Sequence, residues 1–160
     1  MKLITSSTLG LVLLGTTAFA AGTHGGGHND EMDAGKPGKA AAVNRTVEIS
    51  MTEKDDGRML FEPASLQIVQ GETIRFTIKN IGEIEHEFVV DSHDMNMKHK
   101  ASMAKFPEME HDDPNAIRLM EGTSGEIIWT FSKAGTFEFA CLIPGHYESG
   151  MKGDVTVAAK

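Results

Sequence analysis

The chain has 160 residues, 23 acidic side chains against 15 basic, and a formal net charge of −8. That balance argues against nucleic acid and anionic lipid as partners and suits a soluble protein or one steered toward a basic partner. One cysteine permits no internal disulfide, so Cys141 is a buried thiol, an intermolecular bridge or a metal ligand.

Residues 1–20 begin Met1-Lys2, run apolar from 9 to 14 and end Ala18-Phe19-Ala20. A basic start, a short apolar core and an Ala-x-Ala end predict a secretory signal peptide, hence an exported, periplasmic protein. The apolar run is too short to anchor in a bilayer, and no later stretch is long enough to span one. Residues 21–42 hold Gly25-Gly26-Gly27, His24, His28, Met32 and several acids. With little to bury, they read as a flexible His/Gly-rich arm, either a solvated linker or a loose catcher of metal.

From residue 43 the pattern becomes strand-like, and we take 43–160 as the folded domain. Val47, Ile49 and Met51 alternate with polar residues, and Lys54-Asp55-Asp56-Gly57 is a turn. Short strands are expected at 59–61 and 66–69, separated by Pro63, and at 73–79, where Ile74, Phe76 and Ile78 share a face. Asn80-Ile81-Gly82-Glu83 breaks the chain before the strand that starts at His86. Residues 125–131 put Ile127, Trp129 and Phe131 on one face, the strand after Gly135 leads to Cys141, and residues 152–158 close the domain. Many short strands with frequent turns predict an all-β, antiparallel sandwich.

Between 91 and 124 this pattern fails. The stretch carries His93, Met95, Met97, His99, Met103, Met109, His111 and Met120, and is read as a Met/His-rich insertion with a short helix over 98–106. Its thioethers and imidazoles suit capture of a soft cation; the same methionines also suit an adaptable packing or docking surface.

The sharpest signal is the spacing Cys141-x4-His146-x4-Met151, one loop between two strands. A thiolate, an imidazole and a thioether on one loop, with a second imidazole from His86, form the donor set of a blue-copper site. Such a site compromises between Cu(I), which prefers soft ligands, and Cu(II), which prefers nitrogen. Pro144-Gly145 lets the loop ligands be spaced without disturbing the sheet, while His86 reaches in from another strand.

On these residues the chain resembles the cupredoxins, the family of plastocyanin, azurin, pseudoazurin and auracyanin. The Gly-x-Phe-x-Phe-x-Cys strand, Ile143-Pro144-Gly145-His146 and the Gly150-Met151-x-Gly-x-Val-x-Val ending are similar to that family's C-terminal motif. The resemblance implies a Greek-key sandwich of seven or eight strands with one type 1 copper near one end, held by His86, Cys141, His146 and Met151. Glu87 stands where the family commonly has Asn or Ser bonding toward the sulfur, a difference expected to tune the metal.

The arrangement also resembles single-domain periplasmic cupredoxins of bacterial copper tolerance. Copper handling is therefore the expected role, with added weak copper sites in 93–111 and in the arm. A mobile electron carrier is the alternative, with a redox partner protein docking on a rim of Leu142, Ile143, Pro144 and Gly145. The chain is expected to be a monomer and not an enzyme, since no His-x-His pair or second cysteine offers further copper sites.

Overall fold

The computed structural model describes residues 31–107 and 113–160. The expected signal peptide (1–20), residues 21–30 of the arm with His24 and His28, and Met109 and His111 lie outside the described residues. The elements are β1 (Lys36–Pro37), β2 (Arg45–Glu53), β3 (Met59–Glu62), β4 (Ser65–Val69), β5 (Thr73–Asn80), β6 (His86–Asp91), α1 (His93–Met103), β7 (Ala116–Leu119), β8 (Ser124–Thr130), β9 (Gly135–Ala140) and β10 (Lys152–Ala158).

The strands form two five-stranded sheets, β1-β8-β5-β2-β3 and β4-β10-β9-β6-β7. The sandwich is as expected, but it is not purely antiparallel: β2 runs parallel to β5, and β4 parallel to β10. The strand count also exceeds seven or eight, because β1 and β7 arise in stretches without strand-like periodicity. Alternation dictates which side chains meet between the sheets. Ile49, Met51, Ile74, Phe76, Ile78, Ile127 and Trp129 from one sheet pack on Leu66, Ile68, Phe88, Val90, Phe137, Phe139, Val155 and Val157 from the other. Phe88 stacks on Phe139 with centroids 5.4 Å apart, and Phe61 meets both edge-on at 5.8 and 5.2 Å. Each ring contributes about 1.5–3 kcal/mol through burial. This aromatic layer fixes β6 against β9, the two strands that carry His86 and lead to Cys141.

The reading of residues 21–42 as a flexible arm is corrected over 31–42. Lys36 and Pro37 pair with Thr130 and Trp129, and Ala34 is wholly buried, its carbonyl accepting from Trp129 Nε1 at 3.3 Å. Gly35, at φ +136°, lies so close to the sheet that a Cβ there would stand 2.0 Å from the Thr130 carbonyl oxygen. Here glycine permits close approach rather than looseness.

The insertion is also more ordered than its pattern suggests. The helix begins at His93 rather than 98, because Ser92 caps it by accepting from the Met95 N–H at 3.3 Å, with Asp94 in its first turn. It covers the outer face of the second sheet, where Met103 joins Val89, Ala140 and Leu142 in a separate apolar cluster. Covered on both faces, β6 is buried at every position. Among the described residues, no helix is long and apolar enough to cross a membrane.

Candidate metal centre

Strand β6 begins at His86, which pairs with Leu119 at the end of β7; β9 ends at Ala140, so Cys141 follows at the same edge. The loop between β9 and β10 is drawn tight by its own backbone. The Cys141 N–H donates to the Met151 carbonyl at 3.0 Å, the Met151 N–H to the His146 carbonyl at 3.1 Å, and the His146 N–H to the Ile143 carbonyl at 3.0 Å. Gly145 and Gly150, at φ +91° and +98°, turn the chain where a residue with a Cβ would be strained. The x4 spacings thus become a folded clip that carries His146 back over Cys141.

The clip brings three donors together. Cys141 Sγ lies 3.3 Å from His146 Nδ1, which lies 3.2 Å from His86 Nδ1. The ligand atoms of His86, Cys141 and His146 all fall within 4.8 Å of one another. Bonds of about 2.0–2.3 Å to nitrogen and sulfur across a tetrahedral angle would separate donors by about 3.3–3.6 Å, so a small transition metal fits between them. Met151, the fourth residue expected here, is wholly buried, and its backbone is bonded to both Cys141 and His146.

Burial sets the protonation states. It pushes the Cys141 thiol up to about 12, against the opposing pull of the Glu87 N–H, which donates to Sγ at 3.3 Å. An isolated thiol there stays protonated, and a bound cation is needed to displace its proton. His86 and His146 are held below the ordinary imidazole value, both chiefly by burial and His146 also by the adjacent His86. Both are therefore neutral near pH 7, the form that ligates. His86 and Cys141 are fully enclosed, whereas His146 keeps 9 % exposure. A soft thiol and two neutral imidazoles, largely closed to water, suit copper.

Two further residues bear on the centre. Glu87 departs from the Asn or Ser of the resemblance, yet the hydrogen bond to sulfur is made by its backbone N–H, which any residue but proline supplies. Glu53, at the end of β2, was not foreseen. Its Oε1 lies 2.6 Å from His86 Nε2, and its two oxygens accept from the backbone N–H groups of Glu83 and Ile84 at 2.9 and 3.3 Å. Burial alone would raise its carboxyl, but these bonds outweigh that and hold it below the ordinary value. Nothing in the sequence marked it, because an acid beside Lys54-Asp55-Asp56-Gly57 reads as part of a turn.

Of the insertion's histidines, the described His93 and His99 do not join this cluster. His93 is exposed beside Glu138, with Nδ1 3.3 Å from Oε2, and Met103 packs in the apolar cluster under the helix. Met32, Met95 and His99 line one cleft between the N-terminal segment and α1. The expected docking rim changes too: Leu142 is wholly buried, leaving Ile143 partly buried and Pro144 and Gly145 exposed. Ile81, Ile84 and Met120 are also exposed, on two loops that the buried Asn80 ties by donating to the Ile84 and Leu119 carbonyls.

The sequence profile of copper binding proteins of the plastocyanin/azurin family matches residues 46–158. The chain is 46 % identical over 153 residues to a copper-resistant cuproprotein, CopI, of Rubrivivax gelatinosus, across 91 % of this chain and 90 % of that one. A protein of the same description from Pseudomonas aeruginosa is 34 % identical over 175 residues, covering 91 % of both chains. Among solved structures, the dithionite-reduced auracyanin of Roseiflexus castenholzii superposes with a TM-score of 0.60 at 28 % identity, covering 72 % of this chain and 98 % of that one.

Proposed function

Because the chain belongs to the plastocyanin/azurin family of copper-binding proteins, we propose that it is an exported copper-handling protein of the bacterial periplasm. His86, Cys141 and His146 would hold one redox-active copper, with the Met151 thioether as the fourth donor. The observation that carries this reading is the convergence of Cys141 Sγ and the two Nδ1 atoms at 3.2 and 3.3 Å in a nearly closed pocket. The copper-resistant relatives support protection of the cell envelope as the purpose.

When bound, copper supplies a one-electron couple. The chain's residues do the rest. Cys141 gives up its proton and contributes the soft donor, while the Glu87 N–H steadies the sulfur. The core behind β6 and β9 would hold the donor side chains in place, and His146 would offer the route to the surface. The protein works as a monomer and as a binding protein rather than an enzyme, in keeping with relatives that are described as cuproproteins.

Electron transfer to a partner protein is a second reading, favoured by the exposed apolar residues Ile81, Ile84 and Met120 on the loops beside His86. The two roles separate in the cell. A deletion strain that grows poorly on copper but respires normally without it supports handling, and the reverse pattern supports the carrier. For the centre itself, titrating the purified protein with Cu(II) should give one equivalent with an intense visible thiolate band and an axial paramagnetic-resonance signal. Cys141→Ser should abolish the band, and a folded wild-type protein without it would overturn the assignment.

A further inference from the structure

Glu53 makes its hydrogen bond to one of the ligands, His86. His86 is wholly enclosed, so water does not compete for its Nε2, and the Glu53 carboxylate is its partner at 2.6 Å. The carboxylate is itself pinned. It accepts from the Glu83 and Ile84 N–H groups, and a Cβ on Gly82 would stand 2.3 Å from its Oε2, so the loop backbone closes against it. A strap holding β2 to that loop would need only the two backbone bonds. The short bond to the ring requires another account.

We infer that Glu53 is a positioning residue for the copper ligand His86, fixing the proton on Nε2, aiming the bare Nδ1 at the ion and strengthening the ring as a donor so that Cu(II) is favoured over Cu(I). A carboxylate oxygen only accepts, so the shared proton belongs to the imidazole, and the lone pair is left on the nitrogen that faces Cys141 and His146. The bond is charge-assisted, and its negative charge makes the ring more electron-rich than a neutral acceptor would. The backbone N–H groups of Glu83 and Ile84 keep the carboxylate oriented in both oxidation states. The inference rests on the copper reading above, and the experiment separates the two.

The test has two arms. In the metal-free wild-type protein, labelled with nitrogen-15 at histidine, His86 should show a protonated Nε2 and an unprotonated Nδ1; the opposite tautomer overturns the inference without reference to copper. In the copper-loaded protein, Glu53→Gln keeps the size and an acceptor oxygen but removes the charge. Loss of an outer partner of a metal ligand typically costs about 10–100-fold in affinity. Borne by Cu(II), that loss raises the reduction potential by about 60–120 mV, at 59 mV per tenfold for one electron. Glu48→Gln, an exposed acid on the same strand, should leave the potential unchanged. A Glu53→Gln protein with one copper and the wild-type potential overturns the inference, as does an equal shift in Glu48→Gln. Should Glu53→Gln fail to fold, the tautomer decides alone, whereas a wild-type protein that takes up no copper sinks the reading of the centre instead.

Discussion

The β9–β10 loop and the insertion between β6 and β8 are both supplied with methionine and histidine, yet only one gathers them. In the loop, backbone hydrogen bonds tie residue 141 to 151, 151 to 146 and 146 to 143, so the donors have nowhere else to point. Along α1 the same residue types are spread around a helix. His93 faces solvent beside Glu138, Met95 and His99 face a cleft, and Met103 faces the core. Donor composition does not make a metal centre; a backbone that leaves the donors a single direction does.

Two of the buried methionines, Met103 and Met151, give the largest expected contrast. Met103→Ala removes a fully buried side chain from the cluster with Val89, Ala140 and Leu142 and should cost about 2–5 kcal/mol in denaturant unfolding. It should leave the visible band in place. Met151→Leu conserves volume, so its stability cost should stay below about 1.5 kcal/mol. Its reduction potential should nonetheless rise, because an apolar group in place of a thioether favours Cu(I) over Cu(II). If Met103→Ala shifted the potential and Met151→Leu did not, the division between packing region and metal region would be wrong.

The pH dependence of the metal-free protein sharpens the same division, since the groups shifted by burial at the centre all belong to the loop and to β6. His86 and His146 are depressed below 6.5 when folded, so below that pH the unfolded chain binds more protons and stability falls. Cys141 is raised from 9.0 to about 12, so above pH 9 the unfolded thiol ionises while the buried one does not, and stability falls again. Chemical unfolding across pH should therefore show a plateau between about 6.5 and 9. Cys141→Ser should remove the part of the alkaline limb that begins near pH 9 and leave the acid limb, while Tyr147, also raised by burial, keeps a later fall above pH 10.

What could be read beforehand follows the same line. Strands β2 to β5 and β8 to β10 announce themselves because apolar residues alternate along them, as Ile74, Phe76 and Ile78 do, while β6, buried on both faces, shows the continuous apolar run Phe88-Val89-Val90. The Cys-x4-His-x4-Met spacing is readable because neighbours in sequence remain neighbours in the clip. The helix is not readable by periodicity: its fully buried positions are Asn96 and Met103, and apart from the half-buried Met97 its other positions are polar or exposed. The segment before β2 misleads for a different reason, since glycine that allows close packing looks the same as glycine that allows motion. Glu53 escapes altogether, because 33 residues separate it from His86 and only the folded sheet brings them together.

The smallest expected effect tests the comparison most directly. His93 is 63 % exposed at its side chain, and its one described polar partner is Glu138, at 3.3 Å, a surface pair of the kind worth about 0–1 kcal/mol. His93→Ala should shift the unfolding midpoint by less than that range implies, because Tyr147 and Asn96 also donate to the Glu138 carboxylate, at 3.3 and 3.1 Å, and hold it in place. The band, the potential and one tightly held copper should all be unchanged. A drop in tightly bound copper on this substitution would mean that the helix supplies a ligand after all, and that scattered donors on α1 are gathered by the metal rather than by the chain.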